Sequence, residues 1–223
     1  MSPADTFPIA LSLRVATIAL LLVAPVGIAL AWIQSKYRYP FRGLVDALIL
    51  LPLVLPPSVV GYLLVVVLGR QGWVGSWLDQ AFDLRLVFTP AAAVIASSIV
   101  ALPLLVKTAQ PVFEGIPREL EDVGRSLGLS PWALFFRVSL PVAWRGVVAG
   151  LVLAFARGIG EFGATLMFAG NIPGRTNTMP LEIFAAYQLG DDRRALIYVA
   201  VLIAFSGLVV WAASRLALRG VRT

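Results

Sequence analysis

Long apolar runs alternate with short polar segments along the whole chain. The runs cover residues 8–33, 43–68, 89–112, 142–168 and 195–218. A run of about 20 apolar residues crosses a bilayer as a helix, because in hydrocarbon a helix satisfies its own backbone. The pattern predicts an all-α, polytopic membrane protein with about five transmembrane helices. A further piece, residues 181–189, is too brief to cross and reads as re-entrant or interfacial; six crossings result only if it spans together with its neighbours.

Residues 119–141 break this pattern and carry the strongest local signals. Pro117 can open a helix, where its missing N–H costs nothing. Leu120, Val123, Gly124 and Leu127 then share one face at i, i+3, i+4 and i+7, and Gly128 can end it in a left-handed cap. Ser130 caps a second short helix with Pro131 in its first turn. That helix shows Trp132, Phe135 and Phe136 on one side, and Pro141 marks its boundary with the next run. A membrane protein bearing such an aromatic pair of helices is expected to present it to a soluble partner. A hairpin lying on lipid is the alternative. It would favour more Lys and Arg on its polar side, whereas Glu119, Glu121 and Asp122 accompany Arg118 and Arg125 here.

Composition agrees with the pattern. Hydrophobic residues make up 59% and charged ones 13%, against about 25% charged in soluble domains. Residues 1–223 are expected to form one transmembrane domain, with no room for an ATP-binding domain and no G-x-x-x-x-G-K-[ST] motif. The first run is too long for a signal-peptide core and lacks a basic leader, so it reads as a retained span. The net charge of +6 reports topology rather than nucleic-acid binding. Lys36, Arg38 and Arg42 form one basic loop. Lys107, Arg118, Arg125, Arg137 and Arg145 lie in or beside the next, and Arg215, Arg219 and Arg222 close the chain. These eleven face Arg70, Arg85, Arg175, Arg193 and Arg194, five on the other side. The positive-inside rule then puts the N-terminus outside and the C-terminus in the cytoplasm.

The chain has no Cys and no His, which removes thiol chemistry, the commonest metal ligand and the commonest proton shuttle. No metal or cofactor is expected on this chain. Ser97, Ser98 and Glu161 lie in spans without a His, which argues against an embedded enzyme. The lack of an inverted repeat and of a carboxylate–His relay argues against a channel or secondary transporter. Two features mark a pathway. Pro52, Pro56 and Pro57 load the second run, giving either a static kink or a broken helix. Arg157 and Glu161, four apart on one helix face, can neutralise each other; Gly158, Gly160 and Gly163 flank them and Thr165 comes next. The pair serves as structural glue, as pathway lining, or as both.

Glu121, Gly128, Val138 and Leu140-Pro141 resemble the E-A-A—G—I-L-P loop of ABC importer permeases, with Val123-Gly124 in place of the usual small pair. Residues 51–61, LPLVLPPSVVG, and 156–178, ARGIGEFGATLMFAGNIPGRTNT, resemble the permease subunit of molybdate ABC transporters, and the likeness runs from about 11 to about 215. It implies a homodimer in a prokaryotic inner membrane, with two cytoplasmic ATPase subunits that carry the ATP and magnesium. An extracytoplasmic oxyanion-binding protein completes the assembly. It implies that Glu119, Glu121, Gly128, Ser130, Trp132, Phe135, Phe136 and Pro141 couple to the ATPase; the candidates for lining or gating the pathway, from the proline break and the charged pair, are Pro56, Pro57, Arg157, Gly160, Glu161, Gly163 and Thr165. The implied substrate is molybdate; sulfate, thiosulfate or tungstate is the alternative.

Overall fold

The computed structural model describes residues 3–218. Eleven α-helices are described, with α1 at Pro3–Lys36, α2 at Arg42–Val54, α3 at Pro57–Leu68 and α4 at Trp73–Phe82. Next come α5 at Pro90–Glu114, α6 at Arg118–Ser126, α7 at Pro131–Leu134 and α8 at Leu140–Ile159. The last are α9 at Gly163–Ala169, α10 at Met179–Gln188 and α11 at Asp192–Leu218. Among the described residues, four stretches are long and apolar enough to cross a membrane alone: Thr6–Lys36, Pro90–Glu114, Pro131–Ile159 and Asp192–Ala212. The bent pair α2–α3 makes a fifth. The basic residues Arg219 and Arg222 lie outside the described residues.

Helix α5 is the central post, packed along α1 and α8. Its buried side is rich in small residues, Ala92, Ala93, Ala96, Ala101 and Ala109. Lipid tails are as apolar as a core, so close backbone approach through small residues, rather than escape from water, drives this packing. Large apolar side chains such as Leu21, Val26, Leu196 and Ile203 point outward, as expected of surfaces left to lipid or to another chain.

The second apolar run is broken rather than kinked. Its two halves meet at 113°, with Leu55 at ψ 144° and Pro56 at ψ 134°. Each of these residues precedes a proline, which expels it from the helical region; Pro57 then starts α3, where its ring is tolerated. Pro52, with no second proline behind it, stays inside α2. The loop 70–85 holds α4, whose Trp73 and Trp77 are exposed. Asp46 of α2 pairs with Lys107 of α5.

Two boundaries differ from the sequence reading. Pro141 ends nothing: α7 runs through a π turn, Phe135–Ser139, straight into α8. The Leu140 N–H reaches the Phe135 carbonyl, a five-residue step that makes room for a ring otherwise in conflict with the carbonyl four residues back. The fourth run, expected to continue to 168, stops at Ile159. Three residues, Gly160 to Phe162, separate it from α9, where closely spaced glycines weaken the helix. Helix α10 has 10 residues, about 15 Å of rise, too short to span, as its sequence length implies.

Candidate functional site

The α6–α7 hairpin is built by local rules. Gly128 takes φ +78°, the Leu129 N–H donates to the Gly124 carbonyl and the Gly128 N–H to that of Arg125. These are the paired bonds of a glycine-closed helix end. The Ser130 Oγ accepts from the Ala133 N–H at 3.3 Å, capping α7. Glu119 is exposed. Glu121 is only 5% exposed: Oε1 lies 2.9 Å from Lys36 Nζ and accepts from the Ser139 Oγ at 3.3 Å. One carboxylate therefore joins α6, the end of α1 and the π turn. In the sequence Lys36 carries only a topology signal; its partner is 85 positions away, beyond any helical spacing.

The three aromatics of the hairpin do not share a face. Phe135 is 5% exposed, with its ring 5.0 Å from Trp32 of α1, 6.2 Å from Phe113 of α5 and 4.8 Å from Phe136. It anchors the hairpin to its own chain and cannot face a partner. Trp132 and Phe136 remain 65% and 60% exposed, and Leu120 and Val123 of α6 and Leu127 at its end are exposed as well. An open apolar ridge thus stands on an internally bolted base.

The second group gathers where α3, α8 and α9 meet. Arg157 Nη1 stands 2.7 Å from Glu161 Oε2, off the line a hydrogen bond needs. Glu161 does not continue the α8 face as its spacing suggests; it lies in the break, and its Oε1 accepts from the Ala164 N–H at 2.8 Å. The buried carboxylate so neutralises one cation and satisfies an open amide of α9. Gly160 ends α8. A Cβ on Gly163 would stand 2.8 Å from the Pro57 Cβ, so the proline break and the glycine-flanked pair, far apart in sequence, are neighbours. Pro56 caps α3. Thr165 is buried in α9, its Oγ1 without a hydrogen-bond partner.

A further polar knot has almost no signature in the sequence. Glu182 of α10, buried, meets Arg194 at 2.7 Å and accepts from the Asn177 Nδ2 at 2.9 Å, pinning the 170–178 segment. Its one trace is a lone acid in the apolar stretch Met179–Gln188.

The α3–α9 contact is testable. A Cβ on Gly61 would lie 2.7 Å from the Met167 Cβ and 2.8 Å from the Ala164 carbonyl oxygen, so Gly61→Leu forces backbone apart. Overpacking of this kind costs about 1–3 kcal/mol. The thermal unfolding midpoint in detergent is expected to fall by several degrees, whereas Gly43→Leu, with nothing within 4 Å, leaves it in place.

Comparison with known proteins agrees with this architecture. The binding-protein-dependent transport system inner membrane component family matches residues 23–222. The chain belongs to that family and is a multi-pass membrane component of such a system. Within it, the chain is 43% identical over 178 residues to the molybdenum transport system permease protein ModB of Escherichia coli (strain K12), covering 80% of this chain and 78% of that protein. It is 37% identical over 190 residues to the sulfate transport system permease protein CysT of the same strain, covering 85% and 68%. Among solved structures, a bacterial alginate ABC transporter superposes with TM-score 0.79 at 18% identity, covering 100% of this chain and 81% of that one. The MetNI methionine ABC transporter superposes with TM-score 0.68 at 15% identity, covering 97% and 94%.

Proposed function

We propose that this chain is the permease of an ATP-driven importer for molybdate, working as a homodimer about a twofold axis in a prokaryotic inner membrane. Two ATPase subunits, holding the ATP and magnesium, grip the α6–α7 hairpins, and an extracytoplasmic oxyanion-binding protein delivers the substrate. The N-terminus lies outside and the C-terminus inside, in keeping with eleven basic residues against five. The permease itself catalyses nothing: its part is rigid-body gating.

One observation carries this reading. The ridge that an ATPase can hold is continuous with the pathway group, because Pro131–Ile159 forms a single 29-residue helical rod. At 1.5 Å per residue it is about 40 Å long. A push on Trp132 reaches Arg157 at the far end without passing through a loop. There the rod ends at Gly160, and Glu161 hands the motion to α9, which leans on the broken helix at Pro57. Glu161 cancels most of the Arg157 charge, so a dianion meets a passing attraction rather than a trap, and selection falls to the binding protein.

Molybdate is favoured over sulfate because identity to ModB exceeds that to CysT. Cells lacking their own molybdate importer, supplied with this chain and its system, are expected to take up radiolabelled molybdate. Excess sulfate should compete weakly and tungstate strongly. Stronger competition by sulfate than by tungstate would reassign the substrate to sulfate or thiosulfate.

A further inference from the structure

Beside the α6–α7 hairpin lies a polar crevice of about 510 Å³, walled by the end of α1, the α1–α2 loop, the end of α5 and the face of α6. Three of its cations have carboxylate partners, Arg125 also reaching Glu121 at 4.0 Å, and two do not. Lys36 is held by Glu121 at 2.9 Å, Arg42 by Glu114 at 3.3 Å and Arg125 by Asp122 at 3.3 Å. Arg38 and Arg118 also line it, and neither has an ion-pair partner among the described residues. The crevice therefore carries two guanidinium groups without an ion-pair partner among the described residues, Arg38 from the α1–α2 loop and Arg118 from the first turn of α6. The five cations lining it outnumber the three carboxylates, so an excess of two positive charges remains.

We infer that this crevice binds a tetrahedral oxyanion, bridging Arg38 of the α1–α2 loop and Arg118 of α6. Guanidinium groups offer forked N–H donors matched to phosphate-like oxygens, and two of them balance a dianion. The volume exceeds that of a bare oxyanion and leaves room for water or for the glycerol of a lipid headgroup. Tyr37, exposed on the same loop, is a residue type enriched at headgroup depth. A free oxyanion and the phosphodiester of an anionic lipid share the chemistry the site recognises. Either occupant would tie the first loop to the coupling hairpin across the Lys36–Glu121 bridge, and so stiffen the base on which the ridge stands. The inference does not depend on which oxyanion is transported, and its readout is retention rather than uptake.

The test uses the full chain co-expressed with its ATPase subunits, purified into nanodiscs, as wild type and as the double variant R38Q/R118Q. In neutral phosphatidylcholine discs, equilibrium dialysis with radiolabelled orthophosphate reports a free-ion site. In discs containing phosphatidylglycerol, native mass spectrometry reports retained anionic lipid. Binding in either arm that falls about tenfold or more in the variant, and weakens with rising salt, supports the inference and names the source. Equal retention in wild type and variant in both arms would overturn it. So would a variant that holds both anions normally but sheds its ATPase, because an acidic protein face would then be the occupant. Both arginines are exposed and unpaired, so the variant is expected to fold; R38Q alone, with an intermediate loss, serves if it does not.

Discussion

Trp132→Asp is expected to abolish energised uptake while leaving the chain folded and inserted. The ring is 65% exposed, and its nearest described aromatic neighbour, Trp32, is 6.4 Å away. Little of the fold depends on it. A large aromatic at the centre of an interface contributes about 2 kcal/mol or more when lost, roughly a thirtyfold weakening of the partner contact, and a buried carboxylate adds its own desolvation cost. Phe136→Asp should behave alike. Phe135→Ala should differ in kind: it removes a core ring wedged between Trp32 and Phe113, and such truncations cost about 3–5 kcal/mol of stability. Co-purification of the ATPase separates the two effects. The Trp132 variant should be monodisperse, with a normal unfolding midpoint and no ATPase attached; the Phe135 variant should unfold early. Normal uptake by the Trp132 variant would end the proposal that this ridge is the grip.

How much of the structure is legible in the sequence depends on how local each cause is. Apolar runs mark the crossings because the bilayer imposes a length on them. Gly128 and Ser130 are legible because a helix end is closed by residues within a few positions. The break at Leu55 and Pro56 also obeys a nearest-neighbour rule; two successive prolines settle a choice that one leaves open. Phe135 misleads for the opposite reason. Helical spacing groups it with Trp132 and Phe136, but the π turn begins at Phe135 and rotates the residues beyond it. Which ring turns inward is decided by Trp32 and Phe113, from two other helices. Spacing likewise puts Glu161 on a helix face that in fact ends at Ile159, because periodicity alone does not register the loss of helix propensity across Gly158 and Gly160. The Lys36–Glu121 and Glu182–Arg194 pairings, and the meeting of Pro57 with Gly163, are tertiary facts: a lone acid or a basic loop is visible in the sequence, but its partner is not.

The second large effect concerns the Lys36–Glu121 bridge, and it is asymmetric. Removing one partner of a buried ion pair costs about 3–5 kcal/mol when the survivor stays buried and charged. The survivors differ. Lys36 keeps 15% of its side chain exposed on a flexible stem, against 6% for Glu121, so a lone lysine can extend toward water. A lone Glu121 retains the Ser139 hydroxyl and Arg125 at 4.0 Å, and neither replaces the ammonium. Lys36→Met should therefore be much worse than Glu121→Gln, whose amide oxygen can still accept from Ser139. Lys36→Met is expected to lower the unfolding midpoint sharply and to reduce uptake to background. Glu121→Gln should keep a measurable fraction of both. The exchange Lys36→Glu with Glu121→Lys should recover part of the loss, because the pair is restored although Ser139 then faces an ammonium. Equal damage from the two single variants, measured as melting midpoints in one detergent, would mean that hydrogen bonding to Ser139 rather than the buried charge governs the joint. A Lys36→Met protein that melts with the wild type would mean that α6 is held by the Phe135 anchor alone.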